Sequence, residues 1–388
     1  MQYSPIRRFN PLAKAAEDKG MRVYKLNIGQ PDIVTPECFI GAIRNYDQKV
    51  IAYQQSQGDA NLVQSIIAYT ERDYGVSYDE QDIIITMGAS EALTMAFSVL
   101  LNKGDQVMIP EPFYTNYTTF IALAGGSVAP VPTSPADGYR YADRELLERH
   151  LTDATKAIAC ISPGNPTGNV LTDDDKEVIA AFAEDHDLWI IADEAYREYV
   201  FDGRKPSTFA QVEHIRDRLI VVDSVSKRFS ACGARIGYAA STNREFMEGM
   251  LKIAQGRLCV PTVDQVGAAA LFRLPASYYD EVRAEYEERR DAAYEEIMRI
   301  PGVVCRKPGG AFYMSMELPV EDAEDFLLYM LTEFNEENET VMFAPASGFY
   351  ATPGSGRSEI RIAYVLNPAD MRRACWLIRT GLERYKAR

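Results

Sequence analysis

Short apolar runs alternate with amphipathic, helix-like stretches from about residue 82 onward. The runs predict strands, which are IIIT (83–86), QVMIP (106–110), KAIACI (156–161), LWIIAD (188–193), RLIVVD (218–223) and IGYAAS (236–241). The helices predicted between or after them are ASEALTMAFSVLL (89–101), TDDDKEVIAAFAEDH (172–186) and NREFMEGMLKIA (243–254). This alternation is typical of an α/β domain with a mostly parallel sheet between helices.

The pattern changes after a long polar helix predicted at about 275 to 299. The predicted strands there are GGAFYMSMEL (309–318), TVMFAP (340–345) and EIRIAYV (359–365), with amphipathic helices at 321–334 and 368–388. Mixed strands and helices of this kind indicate a smaller α+β domain. The proline-containing N-terminal stretch predicts one modest helix and is expected to pack on that domain. We therefore predict an N-terminal segment at 1–45, a large domain at 46–285 and a small C-terminal domain at 286–388.

Composition narrows the class of protein. The 388 residues are 47% hydrophobic, which is enough for a core in each domain. The formal net charge of −15 argues against a general binder of nucleic acid. Any phosphate is therefore expected in one local pocket instead of on a basic surface.

The six cysteines and three histidines form no CxxC pair and no metal-ligand spacing, so no metal site is predicted. Reduced thiols in a cytoplasmic protein are the expectation. The first residues are basic but lack the apolar core of a signal peptide, and no run approaches the ~20 apolar residues of a membrane span.

A Gly-Ala-Ser turn joins the strand at 83–86 to the following helix, within MGASEAL (87–93). Small residues there allow backbone amides at a helix start, such as those of Ala89 and Ser90, to approach an anion. An ordinary tight turn explains the same pattern. GxxxxGK[ST] is absent and no strand is followed by GxGxxG, so the common nucleotide motifs give no support.

Two further motifs follow strand ends, where open α/β sheets place ligands. In ISPGNPTGNV (161–170), the Asn165-Pro166 step presents one amide side chain. In LWIIADEAYREYV, Asp193 follows an apolar run, so it can pair with a ligand cation or cap a helix.

The segment DSVSKRFSACGARIGY (223–238) places Ser224, Lys227 and Arg235 between two apolar strands. A desolvated lysine is a nucleophile toward carbonyls. The arginine and the hydroxyl suit a phosphate group. Pyridoxal 5'-phosphate has three groups that match these residues. Its aldehyde suits the lysine, its ring nitrogen suits Asp193, and its phosphate suits the remaining groups.

The motifs also resemble, in order and over almost the whole chain, the class I aminotransferases of the fold type I pyridoxal-phosphate enzymes. The matching motifs are AYQQSQG with Tyr53, GAS, SPGNPTG, DEAY, SVSK followed by GARIGY, PGGAFY and RIAY. One departure is Ala234, where relatives commonly have tryptophan.

The resemblance implies a role for each matching residue. Lys227 would form the Schiff base with the cofactor and move the proton, and Asp193 would keep the ring nitrogen protonated. Tyr196 and Asn165 would hydrogen-bond the ring hydroxyl oxygen. The remaining cofactor-binding residues implied are Ala89, Ser90, Ser224 and Arg235 around the phosphate, Tyr114 stacked on the ring, and Tyr53 from the second subunit of a homodimer.

For the substrate, the resemblance implies that Arg361 binds the α-carboxylate, helped by Asn165 and the Gly29 backbone. The expected reaction transfers an amino group between an L-amino acid, foremost aspartate, and a 2-oxo acid, 2-oxoglutarate. Arg257 lies in a region that supplies a cation for the distal carboxylate across the dimer in some relatives, and a plain surface arginine is the alternative. Aminotransfer from aromatic or other amino acids and carbon-sulfur lyase activity stay open. A pyridoxal-binding transcriptional regulator is disfavoured by the acidic charge and by the lack of length for a DNA-binding domain before residue 25.

Overall fold

The computed structural model describes residues 7–388. The α-helices in this range are α1 (Asn10–Asp18), α2 (Glu37–Arg44), α3 (Ala60–Tyr74), α4 (Ala89–Leu100), α5 (Asn116–Leu123), α6 (Arg144–His150), α7 (Asp173–Asp185), α8 (Arg244–Arg257), α9 (Thr262–Leu271), α10 (Ala276–Ile297), α11 (Ala323–Thr332) and α12 (Pro368–Lys386). The strands are β1 (Arg22–Lys25), β2 (Ile83–Thr86), β3 (Gln106–Glu111), β4 (Ser127–Pro132), β5 (Thr155–Ile161), β6 (Trp189–Asp193), β7 (Leu219–Ser224), β8 (Gly237–Ala240), β9 (Tyr313–Glu317), β10 (Glu339–Met342), β11 (Ala344–Pro345) and β12 (Glu359–Ala363). Among the described residues, no helix has the length and apolar character needed to cross a bilayer.

The largest sheet has the strand order β2-β8-β7-β6-β5-β3-β4. All neighbours are parallel except β8, which runs antiparallel to both β2 and β7. This confirms the predicted fold class, an α/β layer structure with a mostly parallel sheet. The sequence patterns missed the edge strand β4, which contains two prolines, because proline is tolerated at sheet edges but weakens a strand pattern.

Both faces of this sheet are buried, and alternate residues of one strand serve different cores. In β2, Ile83 and Ile85 pack in one apolar cluster while Ile84 packs in the other. The first cluster includes residues of α3, α7 and α9, and the second includes residues of α4, α5 and α8. Burial on both faces is why these strands read as continuous apolar runs.

A second assembly lies after α9. Strands β11, β12 and β9 form an antiparallel sheet, and β1 pairs in parallel with β10. Its core includes residues of α10, α11 and α12 together with Ala13 of α1 and Tyr24 of β1. The predicted boundaries at 46 and 286 stay a prediction.

The N-terminal stretch is richer than the one helix predicted for it. It contains α1, β1 and α2, and these do not share one environment. Phe39 of α2 packs in the core of the large sheet, where it lies under Gly267 of α9. A β-carbon on Gly267 would come within 2.7 Å of the Phe39 ring. The stretch therefore spans both assemblies instead of resting only on the smaller one.

Candidate active site

A cavity of about 470 Å³ opens where β5, β6 and β7 end and β8 begins. Most of the residues singled out from the sequence line it: Gly29, Ala89, Ser90, Tyr114, Asn165, Asp193, Tyr196, Ser224, Lys227, Arg235 and Arg361. They lie on or beside the seven-stranded sheet, the three-stranded sheet and the N-terminal stretch. The cavity therefore lies between the two assemblies, at the strand ends where open α/β sheets bind ligands.

Lys227 follows the end of β7 and is half-buried. Its amine donates a hydrogen bond to the Gly29 carbonyl, with 2.9 Å between Nζ and the oxygen. The same amine lies 5.8 Å from the centre of the Tyr196 ring. The Tyr196 hydroxyl in turn lies 3.0 Å from that of Tyr313.

Asp193 is the last residue of β6 and is buried. Its carboxylate accepts hydrogen bonds from the Tyr117 hydroxyl at 2.9 Å and from the Ala195 amide at 3.2 Å. Burial raises the pKa of Asp193 to about 6, although these two hydrogen bonds act in the opposite direction. A cationic group placed against this carboxylate would favour its charged form.

The turn before α4 and the loop before β8 meet closely. Gly88 has a φ of +76° and precedes the first helical residue, Ala89. A β-carbon on Gly237 would lie 2.8 Å from the Ala89 nitrogen, so only glycine allows this approach. The Arg235 guanidinium donates to the Met87 carbonyl at 3.1 Å, and the buried Ser224 hydroxyl lines the same cavity. A helix start, a guanidinium and a hydroxyl together suit a phosphate group.

Arg361 of β12 occupies another part of the cavity wall and is only 2% exposed. It donates to the Asn165 side-chain oxygen at 3.1 Å and to the Asn27 carbonyl. The centre of the Tyr313 ring lies 4.6 Å from the guanidinium carbon. Burial lowers the pKa of Arg361, but an arginine still keeps its charge at neutral pH. Its Nε is buried and has no hydrogen-bond partner within residues 7–388.

Three cavity contacts were not predicted. Tyr117 bonds Asp193, Tyr313 bonds Tyr196, and Arg7 lines the cavity. Tyr117 lies three residues after Tyr114, a predicted site residue, so the sequence could have suggested it. Tyr313 is the last residue of the PGGAFY motif, so it could have been suggested as well. No motif marks Arg7.

A buried ion cluster lies behind the cavity, consisting of Glu194, Arg197, Glu198, Asp223 and Arg228. Four of its members are chain neighbours of cavity residues, in the pairs Asp193 and Glu194, Tyr196 and Arg197, Ser224 and Asp223, and Lys227 and Arg228. Salt bridges inside the cluster therefore hold the backbone from which the cavity side chains project.

Tyr53 and Arg257 do not line the cavity of their own chain. The Tyr53 side chain is 80% exposed. Arg257 lies 3.4 Å from Glu91 and donates to the carbonyls of Ser56 and Ile85. Their predicted roles across a dimer stay predictions.

The model of the aminotransferase class I and II family matches residues 22–378. The chain belongs to this aminotransferase family. The aspartate aminotransferase of Bacillus subtilis is 32% identical over 96% of the chain and 95% of its own length. The aromatic-amino-acid aminotransferase 2 of Thermococcus litoralis is 31% identical over 93% and 91%. The solved alanine aminotransferase of Pyrococcus furiosus superposes with a TM-score of 0.88 at 29% identity, covering 99% of this chain and 97% of that one.

This class I aminotransferase therefore uses pyridoxal 5'-phosphate. The cavity fits that cofactor, because it holds an amine, a buried carboxylate and a cradle for a phosphate within one space. When bound, the cofactor supplies an electron sink for the bonds broken at the amino-acid α-carbon. The relatives differ in their named amino acids, so the family alone leaves the substrate open.

Proposed function

We propose that this aminotransferase moves the amino group between L-aspartate, or a similar amino acid, and 2-oxoglutarate. The observation that carries the proposal is the placement of Lys227 and the buried Arg361 in one cavity, since an amine suits an aldehyde and a guanidinium suits a carboxylate. The relatives named aspartate aminotransferases support the choice of amino acid.

In this proposal, the Lys227 amine would hold the cofactor through its aldehyde group and, once the substrate amine has displaced it, would move the proton at the substrate α-carbon. The half-buried Lys227 amine donates to the Gly29 carbonyl and lies inside the cavity. Asp193 keeps the ring nitrogen protonated, since a buried carboxylate gains from an adjacent cation. Tyr196 and the amide of Asn165 bond the ring hydroxyl oxygen.

The phosphate is assigned to Ser224, Arg235, Ser90 and the backbone amides of Ala89 and Ser90. In the same proposal, the pyridine ring of the cofactor stacks on Tyr114, which lines the cavity. Arg361 binds the substrate α-carboxylate, with Asn165 holding the guanidinium in place and the Gly29 backbone beside it.

We also propose a homodimer with shared active sites. Two large apolar residues close to Tyr53 in the chain are exposed, Val50 at 73% and Ile51 at 67%. Exposed apolar residues that lie together are typical of a protein interface, which supports this proposal. Sedimentation velocity measures the assembly, and mixing a Tyr53→Ala variant with a Lys227→Ala variant tests sharing, since a mixed dimer would regain one intact site. The cytoplasmic location stays a prediction.

An aromatic substrate is the second candidate, favoured by the relative from Thermococcus litoralis and by the tyrosines of the cavity, Tyr114, Tyr196 and Tyr313. Carbon-sulfur lyase activity is the third. A half-reaction screen separates them: each amino acid is mixed with the loaded enzyme, and the change in cofactor absorbance and the 2-oxo acid formed are measured. Aspartate is expected to react fastest. Faster reaction of phenylalanine, or release of a thiol from a thioether amino acid, would favour the alternatives, and the Lys227→Ala variant is the control for uncatalysed change.

A further inference from the structure

The cavity has one more cation than the proposed function assigns. Among residues 7–388, its cationic side chains are Lys227, Arg235, Arg361 and Arg7, and its carboxylate is Asp193. The proposed function uses Lys227 for the aldehyde, Arg235 for the phosphate and Arg361 for the α-carboxylate. Arg7 remains without a role.

Arg7 is exposed and has neither an ion pair nor a side-chain hydrogen bond within residues 7–388. Its carbonyl accepts from the Asn10 amide at 3.1 Å, so the residue is held one turn before α1 begins. Its charge acts to lower the pKa of Tyr114, against the larger raising effect of burial, which places the guanidinium near that ring. Arg7 therefore faces the cavity from the N-terminal stretch.

The next residue, Arg8, differs in both respects. Its guanidinium forms an ion pair with Glu324 of α11, and it does not line the cavity. Arg257, the other arginine considered for substrate, is held by Glu91 and by two backbone carbonyls of its own chain. Arg7 is thus the cavity cation that is free to accept a new partner.

We propose that Arg7 binds the distal carboxylate of a dicarboxylic amino acid or 2-oxo acid, while Arg361 binds the α-carboxylate. This inference rests on the proposed function and names the residue that selects its substrate class. A guanidinium binds a carboxylate through two parallel hydrogen bonds, and a neutral side chain leaves the same cation unpaired. The charge that recognises the substrate side chain then comes from the same chain as Lys227 and not from the partner subunit.

The test compares Arg7→Gln with Arg8→Gln as the matched control, since the two arginines are adjacent and only the first lines the cavity. Specificity constants are measured for aspartate and for alanine, which shares the α-carboxylate but has no distal charge. The ratio of the two is expected to fall about 10- to 100-fold in Arg7→Gln, the range for losing a charged hydrogen bond. It is expected to stay within about twofold in Arg8→Gln, and Arg7→Lys is expected to recover part of the loss.

A binding measurement separates this inference from the proposed function. Calorimetry on the loaded enzyme gives the affinity for maleate, a dicarboxylate without an amino group, and for acetate. Weaker maleate binding in Arg7→Gln with unchanged acetate binding supports the inference even if aspartate proves a poor donor. Equal maleate affinity in wild type and Arg7→Gln would overturn the inference. So would a ratio of the aspartate and alanine specificity constants that falls in Arg257→Gln and not in Arg7→Gln. The specificity constant for phenylalanine is expected to be the same in Arg7→Gln and wild type. A fall in that constant alone would mean that Arg7 contacts an aromatic ring of the substrate instead.

Discussion

Gly29 and Tyr313 approach so closely that a β-carbon on Gly29 would lie 1.8 Å from the Tyr313 hydroxyl oxygen. The Tyr313 ring also packs on Arg361, and its hydroxyl bonds Tyr196. Gly29→Ala is therefore expected to displace the ring and to lower the specificity constant about 100-fold, the scale for a misplaced site. Enzyme kinetics with aspartate measure it.

Gly41 provides the control, since a β-carbon there meets nothing within 4 Å and the residue lies inside α2. Gly41→Ala is expected to leave activity unchanged and to stabilise the protein by up to about 1 kcal/mol. An unchanged specificity constant in Gly29→Ala would mean that the Tyr313 ring can move without consequence.

Removing the Lys227 amine is expected to abolish turnover and to leave the fold intact, because the phosphate cradle and Asp193 do not depend on it. In Lys227→Ala the cofactor should bind without covalent attachment, so borohydride should fix it to the wild-type chain only. Mass spectrometry of the intact chain measures this. The exposed Lys252, which pairs with Glu248 on α8, supplies the control substitution. Multiple turnovers by Lys227→Ala would remove Lys227 from the reaction.

The Asp193 carboxyl predicts a pH dependence in the cofactor-free protein. Its pKa is about 6 in the folded chain against an ordinary value of 3.8, so between these values the folded chain holds a proton that the unfolded chain lacks. Stability therefore falls as the pH rises from about 4 to 6 and levels off above that window. Asp193→Asn cannot titrate. The free energy of unfolding of wild type minus that of Asp193→Asn should fall by about 2 to 3 kcal/mol across the window, measured by denaturant unfolding. A constant difference would show that the carboxyl titrates normally.

Arg361→Lys is expected to weaken every amino-acid substrate by about 10- to 100-fold, because all share the α-carboxylate and a lysine cannot form two parallel hydrogen bonds. The loss should be similar for aspartate, alanine and phenylalanine. That uniform loss distinguishes Arg361 from Arg7, whose substitution should act on dicarboxylates. A loss confined to aspartate would place Arg361 at the distal carboxylate.

The buried ion cluster predicts a large effect on stability. Asp223 lies 2.8 Å from Arg197, pairs with Arg228 and accepts from the Tyr238 hydroxyl at 3.1 Å. Asp223→Asn leaves two buried guanidinium groups short of a counter-charge and is expected to cost about 3 to 5 kcal/mol. The exposed pair of Glu248 and Lys252 is the control, and Glu248→Gln should cost less than about 1 kcal/mol. Thermal unfolding measures both, and equal small effects would show that water reaches the cluster.

The sequence predicted the central strands well for a physical reason. Strands buried on both faces, such as β5 and β7, contain few polar residues, so their apolar runs stand out. Helices α3 and α9 were missed. The Ala60–Tyr74 helix mixes buried and charged residues without a motif, and Thr262–Leu271 is a short run of small residues.

Within the site, residues in contiguous motifs were predicted together, and the structure brings them into one cavity. Residues that only folding brings together were not predicted. Arg7 and Arg361 line the same cavity although they lie 354 positions apart in the chain. The buried ion cluster was missed although its charged residues are chain neighbours of site residues. The sequence alone does not show whether a charged side chain is buried or exposed.

The Arg361 side chain donates hydrogen bonds to Asn165, which follows β5, and to Asn27, which follows β1. Its backbone belongs to β12, which pairs with β9. A carboxylate bound there would therefore join stretches of chain that belong to different hydrophobic cores. Its binding energy would resist the separation of those cores as well as hold the ligand. Bound substrate should then slow the cleavage of the folded chain by a protease, even at peptide bonds far from the cavity.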